Sequence, residues 1–191
     1  AMSRSGEESR ASGWNRRFIE QFFSKEVADQ LRLAMKSMWR NDTPTLRSER
    51  AENEKGTFLI RWQLGLAAVA AEAEDITWAR KLSVEEAERA ARYAPLELNG
   101  FPSWLESLAG AHPGAVDAVL GAELSAELNE IAAANSHSIF LQNVNHAAEP
   151  VTALFLPRLR AWFDANAHRV RSGEDEAMAA ERLRRIVAIL L

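Results

Sequence analysis

Alanine supplies 34 of the 191 residues, whereas Val, Ile and Thr number only 9, 7 and 5. The best helix former thus outweighs the β-branched residues that build pleated surfaces, and a sheet protein fits this chain poorly. With 9 Gly and 6 Pro the chain is too poor in both for a collagen-like or low-complexity polymer, and its 47% of hydrophobic residues is enough for a buried core. The length fits one domain or a tight pair.

Composition then closes several functional classes. There is no Cys, so disulfides, zinc–thiolate sites, iron–sulfur clusters and cysteine nucleophiles drop out together. No uncharged apolar run reaches about 18 residues, the length of a membrane span, and no apolar core follows the polar start as a signal peptide would require. A cytoplasmic chain is the expectation. Net charge is −4, unevenly spread: residues 1–61 carry 12 Lys and Arg against 9 Asp and Glu, residues 62–191 carry 11 against 18. The acidic remainder argues against a nucleic-acid partner, which calls for a large basic excess.

Along the chain, residues 1–13 read as a polar lead-in with a tag-like start. Residues 14–56 read as an N-terminal helix and a solvated connector, with Phe18, Phe22, Phe23, Val27, Leu31, Met35 and Trp39 drawing one stripe. Residues 57–191 read as an array of short helices, truncated at the apolar run 186–191. Its first helix is apolar nearly all round and is expected at the centre of the fold. Ser83-Val84-Glu85-Glu86 spells a capping box, with Leu82 placed to staple onto Ala87. Asn99-Gly100 fits a left-handed helix end, and Pro102, Pro113 and Pro150 each open a helix. Val116, Leu120, Leu124 and Leu128 step by four; 134–149 is a polar stretch around Ile139-Phe140-Leu141; Pro157 is expected to kink the helix that contains it. The architecture expected is an irregular stack of helical hairpins, a HEAT-like α-solenoid, with a compact helical bundle as the alternative.

Chemistry is sparse. No phosphate-binding loop, dinucleotide fingerprint, zinc-protease helix, nucleophile elbow or calcium loop is present, and nothing calls for a cofactor. His137, His146 and Glu149 are residue types that suit zinc or proton transfer, but the nine residues between the histidines match no ligand spacing, which favours a polar inter-helix loop. Ser136 and Ser138 flank His137 without an acid partner. Glu85, Glu86 and Glu88 occupy a first helical turn, where carboxylates favour the helix dipole. Six Trp against one Tyr fill space in an Ala-rich array, yet Trp162 beside Arg158, Arg160, Arg169 and Arg171 forms a patch able to grip an acidic peptide.

One set of words is familiar. Trp78-Ala79-Arg80-Lys81-Leu82-Ser83, then Ala91-Arg92-Tyr93-Ala94, then Glu97 through Leu105, then His112-Pro113, resembles the helical-repeat regions of large bacterial NACHT-type (STAND) signalling NTPases. The resemblance covers roughly residues 58–191 and implies a ligand-sensing array that follows a nucleotide-binding module, often in anti-phage defence. No catalytic residue carries over, because the family's phosphate-binding loop has no counterpart here. The expected function is a non-enzymatic scaffold or sensor segment that contacts a protein, a peptide or the remaining domains of a larger protein. The alternatives are a small ligand-binding or metal-dependent module around His137, His146 and Glu149, and a structural or oligomerisation spacer.

Overall fold

The computed structural model describes residues 13–98 and 100–191; of the polar lead-in only Gly13 falls within them, and Asn99 of the Asn-Gly pair lies outside. The fold is all-α, with no strand among the described residues. No helix in this range is long and apolar enough to cross a membrane.

The first long segment is two helices, α1 (Arg16–Phe22) and α2 (Lys25–Asn41). The break falls where Ser24 turns extended and its side chain accepts the Val27 amide at 3.2 Å, a cap inside an apparently continuous stripe. The stripe divides accordingly. Met35 and Trp39 are buried with Ala28, whereas Phe22, Phe23, Val27 and Leu31 stay exposed. Steps of four gain about 40° each on an ideal helix, so a stripe read that way slides off the buried face.

Helix α3 (Ile60–Glu72) runs beside α2 and buries Trp62, Leu66, Ala67, Ala68, Val69 and Ala71. It is not apolar-buried all round, because Ile60 and Leu64 face solvent, as does Phe58 just ahead of the helix. At its C-terminal end the Glu72 carboxylate accepts from Trp39 Nε1 at 2.9 Å and from both terminal nitrogens of Arg40, whose Nε reaches Glu86 at 2.6 Å. Burial pushes the Glu72 carboxyl up, and the Arg40 and Trp39 bonds outweigh it to hold the group below the usual carboxylate range.

The capping box forms as written: Ser83 Oγ accepts the Glu86 amide at 3.2 Å, and the Glu86 carboxylate accepts the Ser83 amide at 3.0 Å, opening α4 (Val84–Ala91). Leu82 and Ala87 are buried at that corner. Gly100 adopts φ +105°, in the left-handed region as expected, but not as the end of this helix, since α4 stops at Ala91 before a short turn at Ala94–Leu96. Helix α5 (Trp104–Ala111) follows, with Trp104 edge-on to Trp78 at 6.0 Å. Helix α6 (Pro113–Val116), a π turn (Asp117–Gly121) and α7 (Ala122–Asn129) then form one continuous rod, on which Val116, Leu120, Leu124 and Leu128 are all buried.

The polar stretch contains a helix after all, α8 (Ile139–Asn145), anchored by Phe140, whose ring meets Phe101 at 5.1 Å and Phe155 at 6.2 Å. Helix α9 (Glu149–Asn166) starts on Pro150 as expected and runs on through Pro157. Asp175 caps α10 (Glu176–Leu190) by accepting the Met178 amide at 3.0 Å. Helix α10 packs on α8 and α9, and α5 on α9. A single set of buried side chains runs from Trp14 to Ile186.

One close approach fixes how α3 meets the α4–α5 link. A Cβ placed on Gly65 would lie 2.2 Å from Cε1 of Tyr93, a fully buried ring whose hydroxyl donates to the carbonyls of Trp39 (3.3 Å) and Asp42 (3.1 Å). Gly65→Ala is expected to cost about 1–3 kcal/mol, the scale of an overpacked core. Urea denaturation reads this directly, and an unchanged midpoint would mean that the ring has room to move aside.

Candidate ligand-binding cleft

An opening of about 480 Å³ lies between the 42–59 connector, the link after α4, the α7 face and the loop leading into α8. The connector is held against the fold at both ends and is not merely solvated. Arg92 grips Glu49 with two bonds of 2.8 Å and reaches the Pro44 carbonyl at 3.1 Å. The Arg50 guanidinium lies 4.7 Å from the Trp62 ring centroid and donates to the carbonyls of Thr45 and Thr57. Lys55 meets Glu130 at 2.7 Å, and Leu46 is buried.

Glu123, Ala126, Glu127 and Glu130 line one wall because their spacing of three and four puts them on one face of the rod. Their carboxylates are engaged. Glu123 accepts both the amide and the hydroxyl of Ser48, which closes the first turn of the connector. Glu127 accepts the Phe140 and Leu141 amides, each at 2.8 Å, and so caps α8 from a distance. Burial pushes the Glu127 carboxyl up, and the two backbone bonds oppose this only in part. Phe58, Leu96, Leu98 and Ile139 add apolar surface to the lining, beside the cations Arg47, Arg50, Lys55 and Arg92.

The residues singled out in the sequence are placed as follows. His137 lines the cleft mouth and is exposed. His146 closes the far end of α8, and Glu149 opens α9, both exposed. The seven-residue helix between the histidines spans about 10 Å, too far for one ion, and no group of three possible metal ligands occurs among the described residues. The structure therefore does not bring His137, His146 and Glu149 together.

On α9, Trp162 packs half-buried against the core. Arg158 makes two 2.8 Å bonds to Asp117 and lies over Gly121 of the π turn, where an added Cβ would meet its Nε at 2.4 Å. Arg160 leans on Asp164 at 3.6 Å, two positions from Arg158 and so on another face. Arg169 is exposed beyond the helix end. Arg171 donates to the Asn129 and Glu130 carbonyls and closes the C-terminal end of α7. The basic cluster is thus divided between helix ties and scattered exposed positions.

Sequence reasoning missed the cleft because its walls come from four separated segments. A signal for α8 was present: Phe140 and Val144 repeat at i, i+4 inside the polar stretch. No family model, curated protein or solved structure matches the chain.

Two outcomes follow from this geometry. A double-mutant cycle over Arg158→Ala and Asp117→Ala should return a coupling of roughly 0.5–1 kcal/mol, the scale of a part-exposed pair. Zero coupling would mean that α9 and the π turn are held by packing alone. For Glu127, a raised acid disfavours folding fully above its folded pKa, and the penalty is relieved as pH falls through that value toward the unfolded one of about 4.3. Wild type should therefore gain stability relative to Glu127→Gln as pH is lowered from 7, and a pH-independent difference would contradict the assignment.

Proposed function

We propose that the chain is a non-enzymatic helical recognition scaffold that seats a peptide segment of a protein partner in the cleft. The observation that carries this reading is the cleft itself. Its volume, about 480 Å³, lies within the roughly 300–1,000 Å³ of ligand sites, and Phe58, Leu96, Leu98 and Ile139 give its lining apolar surface. The carboxylates of Glu123 and Glu127 are held by donors of the chain, an arrangement that suits binding better than proton transfer. The α9 patch ranks behind the cleft because Arg158 is already engaged by Asp117. On this reading the segment belongs to the sensor or packing array of a larger cytoplasmic bacterial signalling protein of the NACHT type, whose other domains are further partners. The words from Trp78 to Pro113 support that placement.

Selection from a random peptide library displayed on phage tests the reading, with wild type and Ala126→Trp as parallel baits. Ala126 lines the cleft and is only part-buried, so an indole there fills the space. Wild type should enrich peptides that the variant loses while keeping its melting point. Enrichment of the same peptides by both baits would move binding out of the cleft, and no enrichment by either would end the peptide reading.

A further inference from the structure

Four Lys and Arg side chains line the cleft, and they are not equally matched. Arg92 pairs with Glu49, Lys55 with Glu52 and Glu130, and Arg47 with Glu130 at 3.8 Å. Arg50 meets no carboxylate within ion-pair distance among the described residues. Its guanidinium is nonetheless fixed. It lies 4.7 Å from the Trp62 ring centroid, Nε and Nη2 donate to the Thr45 carbonyl, and Nη1 donates to the Thr57 carbonyl at 2.8 Å. A guanidinium has five N–H groups, so one on each terminal nitrogen is left without an acceptor among the described residues. Burial pushes the Arg50 guanidinium down, and Glu123, Glu49 and Glu54 oppose this only in part. Two of those carboxylates are engaged elsewhere, Glu49 by Arg92 and Glu123 by Ser48.

From this placement we infer that the cleft takes the C-terminal end of a peptide, its terminal carboxylate on Arg50 and the apolar side chain of its last residue beside Phe58. The inference rests on the peptide reading above and names the part of the peptide that is read. A cation held only by carbonyls and a ring keeps part of its desolvation cost, which an incoming anion offsets. Guanidinium–carboxylate bonds are charge-assisted and roughly twice as strong as neutral ones. Phe58 directly follows the Thr57 carbonyl that Arg50 holds, is 45% exposed and lines the same cleft. A chain terminus carries a carboxylate and an apolar side chain on one Cα. Asp and Glu instead carry the carboxylate at the tip of the side chain, with no apolar group beside it. Leu96, Leu98 and Ile139 add apolar surface for the residues before the last.

The full 191-residue chain, labelled with nitrogen-15, is titrated with acetyl-Leu-Ala-Leu as the free acid and as the amide. The acid is expected to move the Arg50 Nε–H resonance saturably and to bind at least about 10-fold more tightly than the amide, the scale of one charge-assisted bond. Arg50→Gln should erase that preference while the amide still binds. The preference is read within each protein. A variant that merely loosened the connector would weaken both peptides alike and keep the preference, which assigns Arg50 to structure and overturns the proposal. An acid that binds without moving the Arg50 resonance overturns the contact without any variant. Equal binding of acid and amide by wild type, or binding of neither, overturns it as well. If acetyl-Leu-Ala-Glu-amide matches the free acid, a side-chain carboxylate is the group read and the terminus assignment falls. Ala126→Trp separates this proposal from the cleft reading. Loss of both peptides by Ala126→Trp, with no acid preference in wild type, keeps the cleft and removes the carboxylate contact. Acid-selective binding by Ala126→Trp equal to that of wild type removes both.

Discussion

A helix leaves four amides and four carbonyls open at its ends, so an eight-residue helix has as many open groups as closed ones. In this chain those ends are met by side chains from far along the sequence. Arg32 donates to the Ala71 and Glu72 carbonyls at the end of α3, and Arg89 to the Arg40 carbonyl near the end of α2. Arg171 and Arg182 take the carbonyls of Leu128, Asn129 and Glu130 at the end of α7. Glu127 does the same for the amides of α8. Alanine-rich helices this short have little independent stability. They persist because each neighbour both covers a face and finishes an end.

That dependence shapes the cleft. The carboxylates on its α7 wall act first as supports: Glu123 for the connector, Glu127 for α8, Glu130 for Lys55. A groove built this way has the carboxylates of its α7 face engaged before any ligand arrives. What remains open is the apolar part of the lining, Phe58, Leu96, Leu98 and Ile139.

Local chemistry was legible in the sequence, and long-range chemistry was not. The Ser83 box, the positive φ of Gly100 and the proline starts of α6 and α9 are written within a few residues and form as read. The all-helical class followed from alanine. The Ser24 break was missed because an apolar period masked a cap, and α8 because a seven-residue helix scarcely registers amid polar neighbours. Cleft and ties depend on contacts such as Glu123 with Ser48, 75 residues apart, which no local pattern encodes. Arg158 read as a free cation for the same reason, its partner Asp117 being 41 residues away.

The π turn gives the rod an uneven thread. Between Asp117 and Gly121 the backbone takes up one residue more than an α-helix would, and α7 resumes with its faces turned relative to α6. The buried leucines, spaced by four across this point, keep to one side because the wider turn absorbs the drift that such spacing builds up. The opposite consequence falls on the cleft wall. Removing one residue from the turn would rotate everything after it by about 100°, carrying Glu123, Ala126, Glu127 and Glu130 away from the opening together. The aim of the whole wall is thus tied to a single inserted position outside the cleft, and the same rotation would turn the buried Leu124 and Leu128 out of the core, so the core itself holds the extra residue in place.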